Sequence, residues 1–149
     1  MEISHEKFEA GVKLYADGNN LLDEADKLFD EADALLDKAD LILEKSDEIS
    51  VESDSLRDEV GRLFRQSDLA EERGEDGSEF IVEGNKINSK VTRLDSEVNK
   101  LARTAREHSA RASKLSAGGR KLSANAYRLH SESHKLFLEG MVELKAMLR

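Results

Sequence analysis

Residues 21–47 read LLDEADKLFDEADALLDKADLILEKSD. A large apolar residue is followed four places later by a small one: Leu21 by Ala25, Leu28 by Ala32, Leu35 by Ala39, Ile42 by Ser46. The unit repeats every seven residues. This is a heptad, abcdefg, with Leu or Ile at d and Ala, Ser or Gly at a, which specifies a helix packed along its length on another helix. Working outward, Leu14 precedes Gly18, Ile49 precedes Ser53, Leu56 precedes Val60 and Leu63 precedes Ser67 in the same phase. Asp17-Gly18-Asn19-Asn20 has the composition of a turn. The phase nevertheless survives it, so the helix is expected to continue, with Gly18 as a small a residue.

One column exceeds what a two-helix seam needs. Position e is also apolar in the first part of the chain: Phe8, Tyr15, Leu22, Phe29, Leu36 and Leu43. It then turns polar at Ser50 and Arg57 before Phe64. Three apolar positions per heptad make a wide stripe, and such a stripe calls for a further partner.

The phase breaks once. Leu63 and Phe80 are 17 residues apart, which is not a multiple of seven, and Arg73-Gly74-Glu75-Asp76-Gly77-Ser78 lies between them. Glycine supplies the conformations that end helices, and Ser78 is placed to cap the next one. Beyond the break the pattern returns, with large residues at Ile87, Leu94, Leu101, Leu115, Leu122, Leu129 and Leu136. Small residues follow at Val91, Val98, Ala105, Ala112, Gly119, Ala126, Ser133 and Gly140, while His108 holds one d position. Gly118-Gly119 again interrupts nothing, and close helix approach explains it.

Two matched arrays around one central turn make an antiparallel helical hairpin. The expected fold is all-α: one elongated hairpin domain over 1–149, with helix 1 at about 4–72, a turn at about 73–78 and helix 2 at about 79–147. Pairing Leu28 with Gly119 or with Ala126 centres the turn near residue 73.5 or 77. The wide apolar stripe then predicts association into a helical bundle.

Composition agrees. Proline and cysteine are absent, 37% of the residues are charged and 5% are aromatic. That profile fits long helices and excludes disulfides and thiolate metal sites. No signal peptide or membrane-spanning run is present, so a cytoplasmic location is expected, with signal-independent export left open. Charge is lopsided. Residues 1–74 carry 22 acidic and 9 basic side chains, whereas 77–149 carry 8 and 14. Basic residues precede the large residue in most heptads of the second half: Arg93, Lys100, Lys114, Lys121, Arg128 and Lys135. The two halves are expected to face each other, these bases meeting the acids of helix 1.

No catalytic constellation emerges. Acidic heptads such as Asp23, Glu24, Asp26, Asp30, Glu31 and Asp33 lack the Glu-x-x-His companion of a bundle di-metal site. They read as a solvated face. His130 and His134 are four apart and share a helical face, a spacing able to chelate a metal, but a third ligand is not evident. His108 reads as a register-setting polar core residue. Ser109, Ser116 and Ser123 recur at e without a partner His and Asp. No cofactor or metal is expected.

The expected function is therefore that of a non-enzymatic, homo-oligomeric interaction scaffold, adaptor or chaperone-like subunit with an unidentified protein partner. The oligomer interface is expected at Phe8, Tyr15, Leu22, Phe29, Leu36 and Leu43 of helix 1 with Phe137, Leu138, Met141 and Leu144 of helix 2. Phe80, Ile81 and Val82 form a candidate partner contact at the tip. Two alternatives stand beside this reading. The first is a nucleic-acid-associated regulator using Arg93, Arg103, Arg106, Arg111, Lys114 and Arg120 as one exposed stripe. The second is a membrane-active amphipathic helix, which an acidic outer face disfavours.

Overall fold

The computed structural model describes residues 2–149. Its order is α1, Glu2–Glu72, then α2, Ser78–Met147. The two helices pack against each other as an antiparallel hairpin, with no strand among the described residues. The packing of the backbone divides the chain into two units. The first is Met1–Leu35 with Ala110–Arg149, and the second is Leu36–Ser109.

The turn closes through backbone geometry. Gly74 has φ +77°, the left-handed conformation that glycine adopts without steric cost. The amide of Glu75 donates to the Ala70 carbonyl at 2.8 Å, and that of Gly74 donates to Glu71 at 3.0 Å. This pair of bonds is the Schellman termination of a helix. Capping of α2 differs from the expectation. Asp76 is the acceptor, its Oδ1 receiving the Ser78 amide at 3.0 Å and the Ser78 hydroxyl at 2.7 Å. Those two bonds hold the Asp76 carboxyl below its usual range.

Burial repeats every seven residues. In the first unit, Ser4, Gly11, Gly18, Ala25 and Ala32 are buried on α1, and Ala112, Gly119, Ala126, Ser133 and Gly140 on α2. In the second unit, Ala39, Ser46, Ser53, Val60 and Ser67 face Gly77, Gly84, Val91 and Ala105. The small a column is thus the deepest layer, and the large d residues flank it half-buried. Small side chains let the backbones approach, and the d residues close over the gap.

The e column completes the seam from its other edge. A Cβ added to Gly119 would lie 2.8 Å from the Phe29 ring, and one on Gly84 would lie 2.6 Å from Phe64. Phe137 covers Gly11, Phe8 covers Gly140 and His130 covers Gly18 in the same way. In all five pairs the residue numbers total 148, the constant offset at which an e ring, leaning toward its helix N-terminus, reaches over an a glycine. Of the two expected registers, the one setting Leu28 beside Gly119 is within a residue of this arrangement. Leu28 Cδ1 lies against Gly118, at 3.3 Å from its built Cβ, while Ala126 sits opposite Gly18.

Candidate functional site

The e columns of both helices lie on one side of the seam. In the first unit Phe8 stacks on Phe137 with centroids 6.1 Å apart, and Tyr15 stacks on His130 at 4.6 Å. Each is an e residue facing an e residue. Beside them, the buried Ser133 hydroxyl donates to the Gly11 carbonyl at 2.6 Å.

The expected interface residues divide into two groups. Phe8, Phe29 and Phe137 are half-buried over glycines of the opposite helix, so the hairpin itself uses them. Leu22 is also half-buried. Tyr15 remains 51% exposed in the first unit, and Leu36 and Leu43 are each 44% exposed in the second. Leu138, Met141 and Leu144 are exposed as well. With Val142, Lys145 and Leu148 they line a shallow, apolar hollow of about 500 Å³ near the end of α2. At the tip, Phe80 is half-buried whereas Ile81 and Val82 are exposed.

Electrostatics depart from the sequence expectation. Arg93, Lys100, Lys114, Lys121, Arg128 and Lys135 form no ion pair among the described residues. The reason is angular. All occupy heptad position c, some 200° around the helix from the a seam at 100° per residue. They face outward and cannot reach α1. The pairs that do cross the seam mostly have the opposite polarity. Lys7 of α1 binds Glu143 and, at 3.6 Å, Glu139. The Glu143 hydrogen bond, with the two negative charges, raises the Lys7 pKa against a smaller desolvation effect. Arg57 of α1 binds Asp95. Only Lys90, paired with Glu52 at 3.6 Å, places a base of α2 on an acid of α1.

The residues proposed for nucleic-acid contact do not form one line. Arg93 and Lys114 are at c, Arg106 and Arg120 at b, Arg103 at f and Arg111 at g, spread over the outer half of α2. All six are exposed.

The histidine pair is also separated by its surroundings. His130 Nε2 lies 3.2 Å from the Tyr15 carbonyl oxygen while its ring fills the space over Gly18. His134 is exposed, one turn on. A hollow of about 130 Å³ is lined by Tyr15, His130, Ser133, His134 and Phe137. No three His, Asp or Glu side chains converge as a metal site among the described residues. His108 is half-buried at its d position. No helix among the described residues is long and apolar enough to cross a membrane.

One feature escaped the sequence reading. Asp95 occupies an e position in the second unit, opposite the a residue Ser53. The Ser53 hydroxyl donates to Asp95 Oδ1 at 2.7 Å, and Arg57 binds the other carboxylate oxygen. The signal was available: Asp95 is an acid in an e column, set against Ser rather than Gly. The chain matches no protein-family model, no curated protein and no solved structure.

Proposed function

We propose that this protein is a non-enzymatic interaction scaffold, adaptor or chaperone-like subunit that works as a homo-oligomer of helical hairpins. The supporting observation is the exposed apolar part of the α1 e column. Tyr15 keeps 51% of its surface, and Leu36 and Leu43 keep 44% each, after the hairpin seam has formed. Large apolar side chains recurring along one helical face are characteristic of association surfaces. Leu36 and Leu43, unlike Phe8, Phe29 and Phe64, cover no glycine of α2, so their exposed surface is left over from the hairpin seam.

Sedimentation velocity with light scattering tests the reading. The wild-type chain is expected to form a dimer or larger species. Leu36→Asp and Leu43→Asp are expected to shift it to monomer with helical circular dichroism retained. A wild-type monomer, or variants that stay associated, overturns the reading. Phe29→Asp is a poorer probe than the sequence suggests, because Phe29 also covers Gly119 within its own hairpin.

A further inference from the structure

The e side of the hairpin has a different character on its two helices, and the difference is complementary. On α1 of the first unit the e column is large at Leu22 and Phe29, edged at b by Asp26 and Asp33. On α2 at the same level it is small, Ser116 and Ser123, edged at b by Arg120. The levels follow from the stacked pairs Phe8/Phe137 and Tyr15/His130, whose residue numbers both total 145. By the same total, Leu22 is level with Ser123 and Phe29 with Ser116. Asp26 and Arg120 are level to within one residue.

Charge follows size. Residues 1–35 carry 10 acidic and 3 basic side chains, and residues 110–149 carry 3 and 8. Asp26, Asp33 and Arg120 are exposed and form no ion pair among the described residues. The hairpin thus presents a large, acid-edged helix beside a small, base-edged one, with Asp26, Asp33 and Arg120 left unpaired among the described residues.

We infer that a second copy of this chain docks on this face about a two-fold axis parallel to the helices, setting α1 of each copy on α2 of the other. This rests on the self-association proposed above and adds its orientation. A two-fold axis parallel to the helices preserves level and exchanges the helices. Leu22 and Phe29 then meet Ser123 and Ser116 of the second copy, large against small. Asp26 faces Arg120 of the second copy, twice by symmetry. A two-fold axis across the helices would instead place α1 on α1. Acids would oppose acids, and large residues would oppose large ones.

The second unit repeats the chemistry by itself. Leu36 and Leu43 are level with Ser109 and Ala102, and Asp40 is level with Arg106. The recurrent half-buried serines of the α2 e column, whose hydroxyls make no hydrogen bond among the described residues, thereby become the floor on which the large e residues of the second copy rest.

The test reverses the charges. Asp26→Arg and Arg120→Asp, measured separately by sedimentation equilibrium, should each weaken association about tenfold, and the double variant should recover most of that loss. Because the chain has no cysteine, single Asp26→Cys and Arg120→Cys variants can also be mixed and oxidised. The mixed disulfide should exceed either homodisulfide. Tighter association of Asp26→Arg, absence of recovery in the double variant, or a dominant Asp26→Cys homodisulfide overturns the orientation while self-association stands. A wild-type chain that stays monomeric at every concentration overturns self-association and the orientation with it, and leaves the face to a different protein.

Discussion

Two slots of the seam have the same geometry and opposite chemistry. In the first unit Phe29 lies over Gly119; in the second Asp95 lies over Ser53. Both set an e residue against an a residue of the other helix, and both pairs of numbers total 148. The aromatic slot gains from apolar contact and tolerates small sliding. The polar slot gains from two directed bonds, one from a hydroxyl that is 1% exposed and one from Arg57. Ser53 is buried, whereas Asp95 and Arg57 keep 39% and 50% of their side-chain surface; a displaced Asp95 would leave the Ser53 hydroxyl a desolvated polar group without a partner. The comparison assigns adhesion to the first slot and register to the second.

Phe29→Ala should have the largest effect, a loss of about 2–4 kcal/mol in urea unfolding, since the ring covers glycine and nothing else can fill the space. A loss below about 1 kcal/mol would mean the aromatic slots are ornamental to the seam. Asp95→Ala should cost less, about 1–3 kcal/mol, mainly by stranding the Ser53 hydroxyl. A Ser53→Ala/Asp95→Ala double-mutant cycle checks this. The double variant should recover part of the loss, and additivity would remove the register argument. The smallest effect is expected at the glycines. Gly61 has nothing within 4 Å of a built Cβ, so Gly61→Ala should stabilise by up to about 1 kcal/mol. Gly119→Ala should not, because its methyl meets the Phe29 ring. Equal gains at both sites would show the ring is loosely seated.

The hairpin was legible because its cause is periodic. A seven-residue alternation of Leu with Ala, Ser or Gly positions one buried column per helix whatever the surroundings. The single phase break at Gly74–Gly77 marks the turn by the same logic. The cross-helix ion pairs were not legible. Counting bases ahead of each Leu suggested a charged flank, yet position c points away from the seam. Charge totals carry no angle, and the angle decides which groups meet. The e column was half legible. Its apolar character was plain, but whether Phe29 served its own hairpin or another depended on Gly119, 90 residues away.

The sequence by itself therefore determined the helices, the turn, the small deep column and the chemical asymmetry between the two e columns. Local propensity and repeat period are properties of residues near in the chain. Only the tertiary structure decided which helix residue covers which glycine, that His130 fills the space over Gly18, and that Asp95 takes Ser53 and Arg57. Those outcomes depend on axial register to within about one residue rise, roughly 1.5 Å. That register is set by many close contacts acting together, each between residues far apart in the chain.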